Sequence, residues 1–259
     1  MNRKIKTIFL MLILIVIGCN RSSNTKNTKN QLRYINFIPN FEKELSELKS
    51  DEISTLNKAT DLFKDYISKS HNNSQKDSLF MPYFNHYNLG RVLLKNEAEN
   101  IINNYGFKKI QKEEKEYLVP VQSDYLEANV ITYLSEPMKK FCRQQLKEFN
   151  DSEDLETIAS NALWWEKFNA ENPNFFLKEM TNYHYKNWHL KNLISGTRTV
   201  KVFRENDKLT DQAETVYLRI VANNPESDTA KIIKEYLVLL EKNNMTRSGG
   251  VQEFINNYK

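Results

Sequence analysis

The sequence predicts an all-α protein built from packed helix pairs, with at most a minor β-hairpin. From Phe41 onward, apolar residues recur at three- and four-residue steps, which is the period of amphipathic helices. Residue types that start and stop helices separate these stretches. Strand-like alternation is confined to two short segments, 107–121 and 197–203. A solenoid-like stack of the helix pairs is one alternative arrangement within this class.

Polar clusters, prolines and glycines divide the first half of the chain. Residues 72–74 interrupt the helical period, and Gly106 ends a stretch that follows Pro82. Residues 107–121 favour a short hairpin, in which Pro120 confines its strand to an edge. The helices expected here span about 41–69, as one helix or two, then 83–105, 124–134 and 137–149.

Similar signals divide the second half. Asp151 or Ser152 can cap a helix that ends before Asn172, and Pro173 suits the first turn of the next helix, which Gly196 ends. The segment that follows Gly196 is open between strand, loop and continued helix. Further helices are expected at about 210–222 and 226–242, and a short one after Gly249-Gly250.

The first 18 residues have the three-part layout of a secretory signal. Three basic residues come first, residues 8–17 are apolar, and Gly18 precedes a cysteine. The apolar stretch is about ten residues long, whereas a helix needs about 20 to cross the hydrocarbon region of a membrane. A cleaved signal peptide over residues 1–18 is therefore predicted.

The run Val16-Ile17-Gly18-Cys19 resembles the lipobox of bacterial lipoproteins. That resemblance implies that the Cys19 thiol takes a diacylglyceryl group and that Cys19 begins the mature chain. It departs from the common pattern at Val16, where leucine is usual, and at the bulky Ile17, and it covers residues 1–19 only. The implied location is outside the cytoplasm on a bacterial membrane, with the outer membrane favoured in a Gram-negative cell. An ordinary secretory signal and an uncleaved anchor are the alternatives.

Residues 19–31 are expected to form a flexible tether to a helical globular domain over residues 32–259. No apolar side chain occurs in 20–31, so nothing there offsets the entropy of ordering. Removing the signal takes three of the 37 basic residues and leaves 34 against 33 acidic ones. Nucleic acid is therefore not an expected partner. Cys142, the other cysteine, is expected to be a buried small hydrophobic residue.

An internal repeat is suggested by two segments that end in Asn-Pro. Residues 161–173 align with residues 213–225, which pairs Trp165 with Tyr217. Ala213, Tyr217 and Pro225 stand at spacings that resemble the second helix of a tetratricopeptide repeat, a family of stacked helix pairs. The residues after Pro225 depart from that family's pattern, and ordinary helix packing is the alternative.

Familiar catalytic motifs do not occur in this chain. Only six glycines are present, and none forms a phosphate-binding or dinucleotide-binding loop. His184 and His189 are five residues apart, a step of about 140 degrees on an α-helix, so the two rings are expected to face different directions. No metal site, catalytic residue or cofactor is therefore expected.

The densest feature of the sequence is aromatic. All three tryptophans fall within 25 residues, together with several tyrosines and phenylalanines. Adjacent helical residues point about 100 degrees apart, so Trp164 and Trp165 cannot both face one narrow core stripe. An exposed aromatic surface suits a protein partner, a glycan or a lipid interface. The candidate binding residues are Trp164, Trp165, Tyr183, Tyr185 and Trp188.

These features favour a membrane-anchored lipoprotein that binds a protein partner at the cell envelope without catalysis. An inhibitor or immunity-type protein and an assembly scaffold are equally consistent with them. The alternative is an envelope enzyme that acts on glycan or wall material around Glu166, His184 and His189. A passive surface protein, in which every aromatic residue is internal, is the third possibility.

Overall fold

A computed structural model describes residues 28–49, 51–112, 115–149 and 154–258. The predicted signal peptide, Cys19 and most of the predicted tether lie outside these residues. The α-helices are α1 (Thr28–Ser46), α2 (Ser54–Lys69), α3 (Asn73–Tyr87), α4 (Gly90–Leu93), α5 (Glu99–Asn104), α6 (Asp124–Asn129), α7 (Glu136–Glu148), α8 (Leu155–Glu171), α9 (Lys178–Tyr183), α10 (Lys191–Ser195), α11 (Asp211–Asn223), α12 (Asp228–Lys242) and α13 (Gly249–Asn256). A 3₁₀ turn (Ile131–Tyr133) follows α6, and a π-helical segment (His184–Leu190) joins α9 to α10.

The predicted fold class is confirmed, because the described chain is helical apart from one small antiparallel sheet. Strands β1 (Phe107–Lys112) and β2 (Lys115–Pro120) form the expected hairpin. Pro120 pairs with Phe107 at the open end of the hairpin. Among the described residues, no further strand lies beside β2, so the missing N–H of Pro120 removes no hydrogen bond to another strand. Before the hairpin, Gly106 takes a positive φ of 73°, which ends the helical region as predicted.

Side-chain caps fix most helix starts. Either Ser123 or Asp124 could cap α6 by residue type, and Ser123 does so by accepting a hydrogen bond from the Leu126 backbone N–H. The cap of α8 is Asp154, whose carboxylate accepts from the Thr157 N–H at 2.7 Å. The predicted caps, Asp151 and Ser152, lie outside the described residues.

Three predicted helix starts are wrong, and the single helix predicted over 83–105 is divided among α3, α4 and α5. Helix α3 does not start after Pro82 but runs through it from Asn73, because the Asn72 side chain accepts from the Gln75 N–H and starts a helix where a break was expected. Helix α1 begins at Thr28, inside the segment predicted as tether. Pro173 lies in a turn, and α9 begins only at Lys178.

The Asn-Pro junctions have the same local geometry. The backbone N–H of Asn172 bonds to the Phe168 carbonyl, and that of Asn224 bonds to the Ile220 carbonyl. The aligned aromatics Trp165 and Tyr217 are both fully buried. Both helices therefore end in one local motif, while the tetratricopeptide resemblance stays a prediction.

One continuous core joins both halves of the described chain. Its largest fully buried side chains include Trp165, Tyr83, Tyr217 and Tyr236. Cys142 is buried in this core as expected, and burial raises the pKa of its thiol. Among the described residues, no helix combines the length and the apolar character that crossing a bilayer requires.

Candidate functional site

The π-helical segment places His184 and His189 on one side of the helix. In a π-helix the N–H of residue i+5 bonds to the carbonyl of residue i, and each turn holds more residues than in an α-helix. Residues five apart are therefore rotated by much less than the roughly 140 degrees of an α-helix. One potential ligand atom from each histidine, and one from Glu148 at the end of α7, lie within 4.8 Å of each other. The expectation that the two rings diverge is therefore wrong, because it assumed α-helical geometry.

Glu148 is the centre of this cluster and receives three hydrogen-bond donors. Its Oε1 accepts from Gln144 Nε2 at 2.8 Å and from Trp165 Nε1 at 2.6 Å. Its Oε2 lies 3.2 Å from His189 Nε2. Burial acts to raise the pKa of Glu148, but the contacts with His189, Gln144 and Trp165 outweigh burial and hold the pKa below its ordinary value. The cluster therefore contains an anion that is largely shielded from solvent at neutral pH.

The two histidine rings are held differently. His184 stacks on Trp165 with ring centroids 5.3 Å apart and planes 14° apart, and burial lowers the pKa of His184. A neutral His184 ring at pH 7 offers a nitrogen lone pair. His189 is only 4% exposed, and its Nδ1 is a buried atom without a hydrogen-bond partner among the described residues.

Glu166, the acidic residue singled out from the sequence, has a structural contact instead. Its Oε1 accepts from the Asp228 backbone N–H at 2.6 Å, and its Oε2 accepts from the Thr229 N–H at 2.9 Å. These are the first N–H groups of α12, which have no partner inside the helix. Glu166 therefore caps α12 and does not join His184 and His189 in a catalytic group.

The five predicted binding aromatics separate into two groups. Trp165 and Tyr185 are buried, with 0% and 7% of their surface exposed, so they cannot contact a partner directly. Tyr183 and Trp188 are exposed by 56% and 51%. These two residues are called the exposed aromatic pair below; Tyr183 is the last residue of α9 and Trp188 lies in the π-helical segment that follows it.

Trp164, the remaining candidate, is half-buried and lines a groove of about 400 Å³ between α7 and α8. Its ring stacks on Phe168, with centroids 5.1 Å apart. Four basic side chains and one carboxylate, Glu171, line the same groove; the basic residues are Lys140, Arg143, Lys147 and Lys167. The groove therefore combines an aromatic wall with an excess of positive charge.

No protein-family model, curated protein or solved structure gives a significant match to this chain.

Glu148 is the residue that the sequence analysis missed. It stands among charged residues at the end of an amphipathic helix, where a solvated side chain is the usual outcome. Gln144 lies one turn before Glu148 on the same helix and is a local partner. Trp165 and His189 lie on other elements, so only tertiary packing brings these two donors to the carboxylate. The sequence spacing of Trp165, His184 and His189 does not indicate that Glu148 lies near them.

Proposed function

We propose that this protein is a membrane-anchored bacterial lipoprotein whose helical domain binds a protein partner at the cell envelope. In this function the protein acts without catalysis, as an inhibitor, an immunity-type protein or a scaffold. The observation that carries the proposal is the exposed aromatic pair, Tyr183 and Trp188. The lipobox resemblance at Cys19 supports the location.

Leaving these two side chains in water has a free-energy cost. A large aromatic side chain covers about 150–250 Å² when fully buried, so half exposure leaves roughly 100 Å² of each in contact with solvent. At about 25 cal/mol per Å² of apolar surface, covering one of them would contribute about 2–3 kcal/mol. Tryptophan and tyrosine in such positions are the residue types that dominate protein interfaces.

The backbone under the exposed aromatic pair is well anchored. Tyr185, His189 and Leu190 of the same segment are buried, and the segment packs against α8. A partner would therefore meet side chains on a preorganised support, which reduces the entropy lost on binding. The groove that Trp164 lines is mainly basic, although Arg143 pairs with Glu127 and both Lys140 and Lys167 pair with Glu171, so a partner that reaches it would need an acidic surface.

The test is site-specific photo-crosslinking in the membranes of the native host. A benzoylphenylalanine replaces Trp188 in one variant and Tyr183 in another. We expect each position to give the same discrete crosslinked protein. The matched control places the probe at Leu218, an apolar residue of α11 that is 54% exposed.

Trp188→Ala tests the energy of the same contact. We expect at least a tenfold loss of affinity for the crosslinked protein, which corresponds to about 1.4 kcal/mol. The helical circular dichroism of the variant should equal that of the wild type, because Trp188 is half in solvent. Crosslinks that are as strong from Leu218, or an unchanged affinity in Trp188→Ala, would refute the proposal.

The enzyme alternative has less support from the described residues. It was centred on Glu166, which is occupied as the cap of α12. An acid catalyst beside exposed tryptophans would need a carboxyl group whose pKa is raised. The pKa of Glu148, the carboxyl group closest to His189 in the cluster, is instead lowered.

A further inference from the structure

The geometry points to a divalent transition-metal site, of the kind that takes Zn²⁺, formed by Glu148, His184 and His189. This inference is independent of the protein-binding role. It rests on three residues from two separate elements, α7 and the π-helical segment, whose potential ligand atoms lie within 4.8 Å of one another.

The donor set selects the class of metal. Two imidazoles and one carboxylate are a ligand combination of zinc sites, and imidazole suits transition metals in general. Mg²⁺ and Ca²⁺ prefer sets made of oxygen atoms. The Glu148 carboxylate supplies an oxygen donor with negative charge, which a dication requires, and the two imidazole rings supply nitrogen donors.

The distances are close to those that a metal needs. With bonds of about 2.0–2.1 Å, the ligand atoms of a tetrahedral zinc site lie about 3.3 Å apart. Glu148 Oε2 and His189 Nε2 are already 3.2 Å apart. All three potential ligand atoms lie within 4.8 Å of one another, so the remaining separations exceed the tetrahedral value by at most about 1.5 Å.

The surrounding side chains hold the ligands in place. Trp165 donates to Glu148 Oε1 and stacks on His184, so it positions two of the three ligands. Gln144 donates to the same Oε1, which leaves Oε2 facing His189. Partners that orient a ligating carboxylate in this way are a regular part of metal sites.

The two ring nitrogens of the buried His189 have different surroundings. Its Nε2 lies 3.2 Å from Glu148 Oε2, whereas its Nδ1 is a buried atom without a hydrogen-bond partner among the described residues. A metal would bind at Nε2, the nitrogen that faces Glu148, and the ring proton would then be on Nδ1.

The experiment is metal binding by the full chain, purified through a tag that contains no histidine and stripped with a chelator. Zn²⁺ is titrated by calorimetry, and Co²⁺ is titrated by visible absorption. We expect one ion per chain for both metals, with the intense visible bands of four-coordinate Co²⁺. Glu148→Gln and His184→Gln should each weaken Zn²⁺ binding at least tenfold.

The matched control is His71→Gln, which removes an exposed histidine from the start of α3. It should bind Zn²⁺ like the wild type. If Glu148→Gln or His184→Gln binds Zn²⁺ as tightly as the wild type, or if the wild type binds no ion, the site does not exist. In that case the cluster is a buried hydrogen-bond network only.

X-ray absorption of the wild-type Zn²⁺ complex gives an answer that depends on no variant, and so covers the case in which a substitution unfolds the chain. Two imidazole rings and at least one oxygen ligand are expected in the first shell of the metal. A shell with one imidazole or none would overturn the proposal, since the described cluster supplies two.

Discussion

Two carboxyl groups that are largely shielded from solvent, Glu148 and Asp77, have pKa shifts of opposite sign. Glu148 accepts hydrogen bonds from separate side chains, and these together hold its pKa below the ordinary value despite burial. Asp77, which is 6% exposed, has one partner residue: Ser135 donates its N–H at 2.9 Å and its hydroxyl at 2.6 Å. Burial dominates there and raises the pKa of Asp77. The number and kind of hydrogen-bond donors therefore decide whether the pKa of such a carboxyl group is raised or lowered.

The raised pKa of Asp77 predicts a dependence of stability on pH. The native state binds the Asp77 proton more tightly than the unfolded chain does, so this group lowers the free energy of unfolding as pH rises from 3.8 through its raised pKa. In Asp77→Asn that contribution is absent. We therefore expect the free energy of unfolding of the wild type to decrease, relative to that of Asp77→Asn, as the pH rises from about 3.5 to about 7.

Urea denaturation of both proteins across this pH range measures the difference. Glu253→Gln, which neutralises an exposed carboxylate of α13, is the control. The difference in free energy of unfolding between wild type and Glu253→Gln should not fall over this pH range. A difference between wild type and Asp77→Asn that is flat or rises with pH would contradict the assignment of Asp77.

At the scale of elements, helix starts and the π-helical segment have different origins. The starts at Asn72, Ser123 and Ser227 follow from local chemistry, because a side-chain oxygen satisfies a free N–H within three residues. The π-helical segment has no such local signal. Its effect is nevertheless decisive, since it brings His184 and His189 to the same side.

Helix α12 has a cap from a distant part of the chain as well as from Ser227. Glu166 accepts hydrogen bonds from the first two N–H groups of α12, and its negative charge also faces the positive end of the helix dipole. We expect Glu166→Ala to lower the free energy of unfolding by about 1–2 kcal/mol, the usual range for loss of a cap. Thermal or urea unfolding measures this change.

Glu166→Gln keeps an acceptor oxygen and should lose less stability than Glu166→Ala. Glu241→Ala, in an exposed position on the same helix, is the control and should change stability by less than about 0.5 kcal/mol. If Glu166→Ala is as stable as the control, the capping contacts contribute nothing to folding.

For the whole molecule, the anchor and the domain are separate features. The domain is held by one continuous core, and the lipobox resemblance lies in residues 1–19, outside the described structure. A lipid on Cys19 would restrict the exposed aromatic pair to partners near the membrane. The short polar segment that follows Cys19 limits how far the domain can lie from the lipid surface.

The two cysteines allow a matched test of the anchor. We expect the wild-type protein, expressed in a bacterium, to partition into the detergent phase and to carry an acylated N-terminal Cys19 by mass spectrometry. Cys19→Ser should lose both properties, because the serine hydroxyl cannot take the thioether-linked lipid. Cys142→Ala, at the buried cysteine, should keep both. Detergent-phase recovery of Cys19→Ser would show that another feature anchors the chain.

The sequence by itself determined the fold class, the hairpin at 107–120 and most helix ends, because amphipathic period, side-chain caps and glycine act within a few residues. It also located the aromatic region. Tertiary structure alone decided which aromatics are exposed. Trp164 and Trp165 are neighbours in the sequence, yet Trp165 is fully buried and Trp164 is only partly buried. Tertiary structure also decided the Glu148 cluster, because a π-helical turn and contacts between helices distant in sequence are set by how the whole core packs.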